Sequence, residues 1–405
     1  MTRTGELSAR IVTDLAGWDA LKPWWDILLE ASPDSTPWQN WDYLRSWWEN
    51  LRGRRKLRII VVERAGVPVM IFPLQITREY LLCVPRRLIE PISMMWDVNR
   101  PRFAIGASDP VAFRRGLEIL WDIRNEWDAI RIEELPLEDS QAQELKALAA
   151  RRDLRFRGVL SSVCPHLDID QSWSQFLGSR GPRLKKNLRA SLRKLEARGT
   201  VRLEVSETEE EVARAFDTAL RLHRSSWKHK KRVGLSQSPA FRQFFWSFLI
   251  KSAARGRARV LILRVAERPV AATIAFIHLD TYFSTEIVHD AAFARCSPGT
   301  LLESMELERL MNERRLRHYD FLGRFLNNKQ RWTEAARVTY RFYVFKPGLA
   351  NALLDRYYFR VKPIVKRVWR FVFGLSKVTA QATRFAQRVP DGPCREPRVG
   401  SDFHS

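Results

Sequence analysis

Apolar positions along the chain repeat in two spacings, and each combination of the two occurs twice. Trp38, Trp41, Leu44, Trp48 and Leu51 recur every three or four residues, which predicts an amphipathic helix over 38–51 with its aromatic stripe in the core. Two β-branched runs follow, LRIIVVE and VPVMIFPLQI, separated only by RAG. That pattern predicts a strand, a tight turn and an antiparallel partner. The phrase returns at 259–279, RVLILRVAERPVAATIAFIHL, again behind an aromatic-rich stretch, with Pro68 and Pro269 about 200 residues apart. Self-similarity at that distance implies a duplicated α/β module.

Between the copies, 111–127 reads as a helix, DAIRIEEL as a strand and 142–152 as a short helix, which closes a first domain near residue 165. After the second hairpin come TYFSTEIVHDAAF, the loop ARCSPGT, the helix LLESMELERLMNERR, the strand HYDFLG, the loop RFLNNKQRW and the strand VTYRFYVFKPG. Strand and helix alternating behind a hairpin imply an α/β layer with a mixed sheet. The expected division is 1–165, 166–350 and a tail, 351–405.

Composition narrows the picture without changing it. A chain of 405 residues with 45% hydrophobic and 28% charged residues is globular and long enough for two cores. Four scattered cysteines, Cys83, Cys164, Cys296 and Cys394, form no CxxC or Cys/His cluster, so neither a metal site nor a disulfide framework is expected, and a reducing cytoplasm is the expected home. The N-terminus lacks an apolar signal region and no stretch has the length of a spanning helix, so neither export by a standard signal nor a membrane span is expected.

Charge changes the picture more. Lys and Arg number 69 against 46 Asp and Glu, a formal +23, which favours phosphates or an anionic membrane face. Much of the excess is concentrated. Segment 180–202 holds nine Lys/Arg and one Glu, with Leu184, Leu188, Leu192 and Leu195 on one helical face. A second helix, expected over 209–232, ends in LHRSSWKHKKR, which has no acid. The tail sets Val361, Ile364, Val365, Val368 and Phe371 against Lys366, Arg367 and Arg370, a basic amphipathic helix suited to the inner face of an anionic membrane. Because 180–198 has no interleaved aromatics or RNA-binding signature, no sequence-specific nucleic-acid partner is expected.

Chemistry is concentrated around Arg295-Cys296-Ser297-Pro298-Gly299-Thr300. Ser297 can cap, Pro298 suits the first helical position and Gly299 lets a ligand approach the backbone, so the amides and the helix dipole make a phosphate cradle with Arg295 beside it. The same residues serve equally well as a plain helix start. Along TYFSTEIVHD, alternation places Glu286 and Asp290 on one face and His289 on the other. Asp320 ends the next strand, where open α/β sheets present functional groups. Lys329 suits an anion and Trp332 suits packing of the loop, while His223 and Trp227 lie on the basic helix.

The run SPGTLLESMELERLMNERRLRHYDFLGRFLNNKQRW resembles the second half of GNAT-fold acyltransferases associated with cellulose and exopolysaccharide synthesis, the CelD/BcsL-type group, relatives of the Fem-type transferases. The resemblance covers most of 166–346 and extends faintly into the first half. It departs from the usual GNAT phosphate loop in placing Pro298 and Thr300 where small residues stand, with the glycine shifted to Gly299. It implies two tandem GNAT-like domains with mixed, mainly antiparallel sheets flanked by helices. It also implies transfer from acetyl-CoA or another acyl-CoA to a sugar, lipid-linked or amine acceptor, with no metal. Under it, Glu286, His289 and Asp320 are the catalytic candidates and Arg295, Ser297, Gly299, Thr300 and Lys329 hold the cofactor. His223, Trp227 and Trp332 line the acceptor side. Two other readings stand beside it: a Fem-like transferase using aminoacyl-tRNA, and a non-catalytic membrane- or RNA-associated binding protein.

Overall fold

The structure, a computed structural model, describes residues 6–81, 84–92, 102–230, 234–323, 329–361 and 364. Its first-half strands are β1 (Leu7–Val12), β2 (Lys56–Arg64), β3 (Val67–Leu81), β4 (Val84–Pro91) and β5 (Ala129–Leu135), and β6 (Arg155–Asp168) follows them. The second half contributes β7 (Val201–Ser206), β8 (Ala258–Val265), β9 (Arg268–His278), β10 (Thr281–His289) and β11 (His318–Asp320), and β12 (Ala336–Phe345) closes the series. Among the described residues these twelve form one mixed, mostly antiparallel sheet in the order β1-β2-β3-β4-β5-β12-β6-β11-β10-β9-β8-β7.

The helices are α1 (Leu15–Asp19), α2 (Lys22–Glu30), α3 (Trp41–Leu51), α4 (Pro110–Asp122), α5 (Ser140–Arg151), α6 (Trp173–Ser179) and α7 (Pro182–Glu196), then α8 (Glu209–Ser225), α9 (Trp227–Lys230), α10 (Pro239–Ala253), α11 (Pro298–Glu313) and α12 (Leu349–Arg356). Local signals set several boundaries. Asn40 caps α3 by accepting the Tyr43 amide at 2.7 Å, and Thr208 and Glu211 form a reciprocal capping box on α8. The helix expected over 209–232 breaks at Ser226, whose extended backbone ends α8 while its hydroxyl donates to the His223 carbonyl. Residues 231–232 of that expectation, Cys83 and Cys394, loop residues 324–328 and nearly all of the basic tail lie outside the described residues.

Each half repeats one plan: an antiparallel hairpin, then a strand that runs parallel to the strand beyond the helix. The pairs are β2–β3 with β4 parallel to β5, and β8–β9 with β10 parallel to β11. The final strand, expected to close the second half, instead inserts between β5 and β6, antiparallel to both. Residues 155–165 of β6 pair with β12 and 166–168 with β11, so position 165 falls inside a continuous strand. The halves also share a core. Trp38 lies edge-on to Phe276 at 5.4 Å, and Tyr43 of α3 meets Phe244 and Phe248 of α10 at 5.2 and 4.9 Å. Such aromatic packing stabilises each pair by about 1 kcal/mol beyond area burial, which joins the halves as one body.

Candidate functional site

The second half opens at the β10–β11 seam. The two strands pair only over Thr281–Phe283 and His318–Asp320. Beyond Phe283, that edge of β10 has no strand partner among the described residues. On its other edge β10 carries a bulge at Thr285, whose hydroxyl donates to the Ile274 carbonyl at 2.7 Å. A bulge bends a strand and re-aims its side chains. Glu286 and Val288 turn toward α8 and α10, and Ile287 and His289 turn toward the start of α11. The alternation read from the sequence therefore holds for Glu286 and His289. Asp290 departs from it: it lies past the strand, accepts the Ala292 amide at 2.9 Å and pairs with Arg268 at 2.6 Å, closing the 3₁₀ turn Ala291–Cys296.

Ser297 occupies the cap position of α11 in the left-handed region, with φ of 51°, and its side chain makes no cap bond. The expected Ser297 cap is thus corrected: that backbone turns the hydroxyl away from the first-turn amides. Pro298 has no N–H, and the Thr300 and Leu301 amides bond the Ser297 carbonyl at 3.1 and 3.2 Å. No acceptor among the described residues takes the Gly299 amide. A side chain begun at Gly299 would meet Ile287 at 3.5 Å and His289 Nδ1 at 3.7 Å, so Gly299 faces β10 across a narrow gap. Arg295 and Ser297 are exposed, and Arg331 donates to Thr300 Oγ1 at 2.7 Å. The uncapped amide and the helix dipole lie beside the Arg331 guanidinium, with exposed Arg295 four residues before Gly299, a set of donors of the kind an anion takes.

Across β10, Glu286 is almost fully buried. Lys228 Nζ donates to its Oε1 at 2.8 Å, and His223 Nε2 stands 3.4 Å from the same oxygen. Burial alone would raise the Glu286 carboxyl; Lys228 chiefly holds it below its ordinary value, so the buried group is a carboxylate. His289 is held below its ordinary value by burial and then by Lys228, so its imidazole is neutral near pH 7. Gly234, with φ of +63°, lies against the cluster so closely that a Cβ there would fall 2.9 Å from His223 Nε2 and 3.0 Å from Glu286 Oε1. Trp227 belongs to α9, and its side chain is outside the described residues.

Three predicted residues lie behind this opening. Asp320 is buried, accepts the Leu322 amide at 2.8 Å and stands 3.8 Å from Arg337. Lys329 points inward and donates to the carbonyls of Phe321, at 2.8 Å, and Leu322. Trp332 is fully buried and donates to Glu303. Glu303 and Glu306 are one turn apart on α11, and burial pushes each up to about 7. Tyr282 and Tyr319 donate to Glu306 at 2.7 and 2.5 Å. This polar layer holds α11 against β10 and β11. Sequence reasoning missed both glutamates because their spacing also fits a solvated helix face. It missed Lys228, hidden in a run of like charges, and Arg331, two residues beyond the lysine it favoured. Among the described residues, no group of three or more His, Cys, Asp or Glu side chains stands together to hold a metal.

Residues 182–345 match the family model described as an acetyltransferase (GNAT) domain. The chain is similar in fold to FemX, with TM-score 0.56 and 14% identity over 86% of this chain and 99% of that one. It is similar also to a conserved protein of unknown function from Bacteroides thetaiotaomicron VPI-5482, with TM-score 0.51 and 10% identity over 84% of this chain and 100% of that one. A C-terminal DUF2156 domain from Agrobacterium fabrum gives TM-score 0.51 and 11% identity over 84% of this chain and 95% of that one. No curated protein matches the chain. Residues 182–345 thus match a GNAT-type acetyltransferase domain, and the chain is similar in fold to FemX.

Proposed function

We propose that the protein transfers an acyl group from acetyl-CoA or another acyl-CoA to an amine or hydroxyl of a sugar or lipid-linked acceptor in polysaccharide or cell-envelope synthesis, as the CelD/BcsL resemblance implies. One observation carries the reading: the uncapped start of α11 and the unpaired edge of β10 adjoin, and a buried carboxylate, Glu286, lies on the opposite face of the same strand. The Gly299 amide, Arg295 and Arg331 bind the donor's diphosphate. Bound there, acyl-CoA supplies a thioester carbonyl. Backbone N–H groups on the unpaired edge of β10 orient that carbonyl, and Glu286 takes the proton the acceptor loses. His289, neutral at the corner, positions the strand end. Asp320, Lys329 and Trp332 hold the loop that supports Arg331.

Titration calorimetry with acetyl-CoA tests the reading. Saturable binding is expected, and Gly299→Trp, which fills the gap to Ile287 and His289, abolishes it; absent binding, or binding indifferent to the substitution, refutes it. The run Arg183, Lys185, Lys186, Arg189, Arg193 and Lys194 on α7, with no acidic partner among the described residues, favours a second reading with aminoacyl-tRNA as donor. Transfer that depends on tRNA, falls steeply with salt and ignores CoA would establish it instead.

We also place the protein in the cytoplasm, peripheral to the inner face of the membrane. No helix among the described residues is long and apolar enough to cross a membrane. On α12, Leu349 and Leu353 are 88% and 60% exposed, with Arg356 and Arg360 nearby. Truncation after residue 361 keeps buried Leu354 and the Asp355–Arg157 pair. Because it removes Lys366, Arg367 and Arg370 of the basic tail, it should reduce binding to anionic vesicles; unchanged partitioning contradicts this placement.

A further inference from the structure

Besides partly exposed Lys228, one series of polar groups among the described residues leads from Glu286 toward solvent. Glu286 Oε1 is held by Lys228 at 2.8 Å, and Gly234 walls the remaining side. His223, 1% exposed, faces the carboxylate with Nε2 at 3.4 Å, a buried nitrogen that makes no hydrogen bond. Its other nitrogen, Nδ1, lies 2.9 Å from Ser236 Oγ, and Ser236 Oγ lies 2.8 Å from Nδ1 of His229, an exposed residue. The series Glu286–His223–Ser236–His229 therefore runs from a buried carboxylate to solvent.

Elementary hydrogen counting restricts this series. A hydroxyl has one hydrogen and two lone pairs, and Ser236 Oγ sits between two imidazole Nδ1 atoms, so at least one ring must donate to it. When His223 donates through Nδ1, its Nε2 bears a lone pair aimed at Glu286, which accounts for the buried nitrogen without a partner. Ser236 then donates to His229, whose Nε2–H meets water. The titratable groups facing this series are Lys228 and Glu286, with His289 beyond Lys228.

We propose that Glu286, His223, Ser236 and His229 form a proton relay that discharges to solvent the proton removed from the acceptor; this rests on the acyl-transfer reading above. Glu286 receives that proton and passes it to His223 Nε2. The Nδ1 proton of His223 moves to Ser236 Oγ, the Ser236 hydroxyl proton moves to His229 Nδ1, and His229 releases its Nε2 proton to water. One proton enters and one leaves, so the four residues keep their proton count while both rings change tautomer. Rotation of the hydroxyl and exchange of the ring tautomers reset the series. Ser236 and His229 touch no substrate and act through His223 and Glu286.

Two measurements on the full chain test the relay. In imidazole ¹⁵N spectra, His223 should carry its proton on Nδ1 at neutral pH, and Ser236→Ala should shift both His223 and His229. A wild-type His223 protonated at Nε2, or spectra unmoved by Ser236→Ala, overturns the relay whatever the fate of the acyl-transfer reading. In acetyl-CoA turnover with glucosamine as an amine and hydroxyl probe, Ser236→Ala and His229→Ala should each lower the rate about tenfold at neutral pH without changing acetyl-CoA binding. Ser236→Thr should restore the rate, and added imidazole should rescue His229→Ala, effects that a packing role would not produce. Wild-type rates in both alanine variants overturn the relay. Absent acetyl-CoA binding in the wild type overturns the acyl-transfer reading and leaves the spectra to judge the relay.

Discussion

At the parallel seam of the first half, Leu88 and Ile89 pair with Ala129 and Ile130, and the next position is bridged by side chains: Arg131 holds Glu90 through Nε at 2.8 Å and Nη2 at 2.5 Å and also reaches Glu79. At the seam of the second half, pairing stops after Phe283 and Asp320, and the nearby carboxylate, Glu286, turns to Lys228 and His223 instead. The helix starts differ in the same sense. Asp109 caps α4, accepting the Val111 and Ala112 amides at 3.0 Å and pairing with Arg64, whereas Ser297 leaves α11 uncapped. One half has used its charges to close the plan, and the other has left a helix-start amide uncapped and turned its carboxylate to Lys228 instead of across the seam. A duplicated fold can thus keep one opening for ligands while its twin serves as a wall.

Exchanging the roles of these residues should break the comparison cleanly. Glu286→Gln should lower acetyl-CoA turnover by about 10²–10⁴-fold while the diphosphate corner still binds acetyl-CoA, because only the proton acceptor is lost; turnover near the wild type would remove Glu286 from the chemistry. Arg131→Ala should leave acetyl-CoA binding intact but destabilise the fold by about 3–5 kcal/mol in urea unfolding, since burial already raises the Glu90 carboxyl and Arg131 is what opposes it.

Proton linkage sharpens the contrast. Glu303 and Glu306 titrate near 7 in the fold against an ordinary 4.5. Between those values the folded state keeps protons the unfolded chain gives up, so their contribution falls as pH rises from about 4.5 to 7. His278 runs oppositely. Burial, then Arg257, depress it to about 4 from 6.5, and with Ser35 hydrogen-bonded to it at 2.9 Å its contribution grows as pH rises through that interval. Replacing both glutamates by glutamine should therefore abolish the loss of melting temperature between pH 6 and 7 and leave the acid-side loss, read by scanning calorimetry at each pH. The smallest effect belongs to the helix starts. Asp109→Ala should cost about 1 kcal/mol, and Ser297→Ala should change stability by less than about 0.5 kcal/mol, because no cap bond is lost. Equal losses would mean that the two starts are not different after all.

Much of this architecture was legible along the chain. Both hairpins, the helices α3, α4, α5, α7 and α11, and the start of α11 at Pro298 follow from spacing, turn chemistry and backbone preference, which act over a few residues; the left-handed backbone of Ser297 does not. Glu286, His289 and His223 could be named for the same reason: each stands in a segment whose local pattern is unusual. The layer behind the site was not legible. Glu303 looks like a surface residue until Trp332, 29 positions away, donates to it, and Lys329 looks like an anion ligand until two carbonyls claim it.

Local pattern therefore settled which segments become strand, helix or turn, and that the plan is doubled. Which copy stays open was settled only in three dimensions, by the insertion of β12 between β5 and β6, the Arg131 bridge at one seam and the bulge that turns Glu286 inward at the other. Strand order, burial and charge pairing depend on residues far apart in the chain, and their energies arise only once packing removes water from between them.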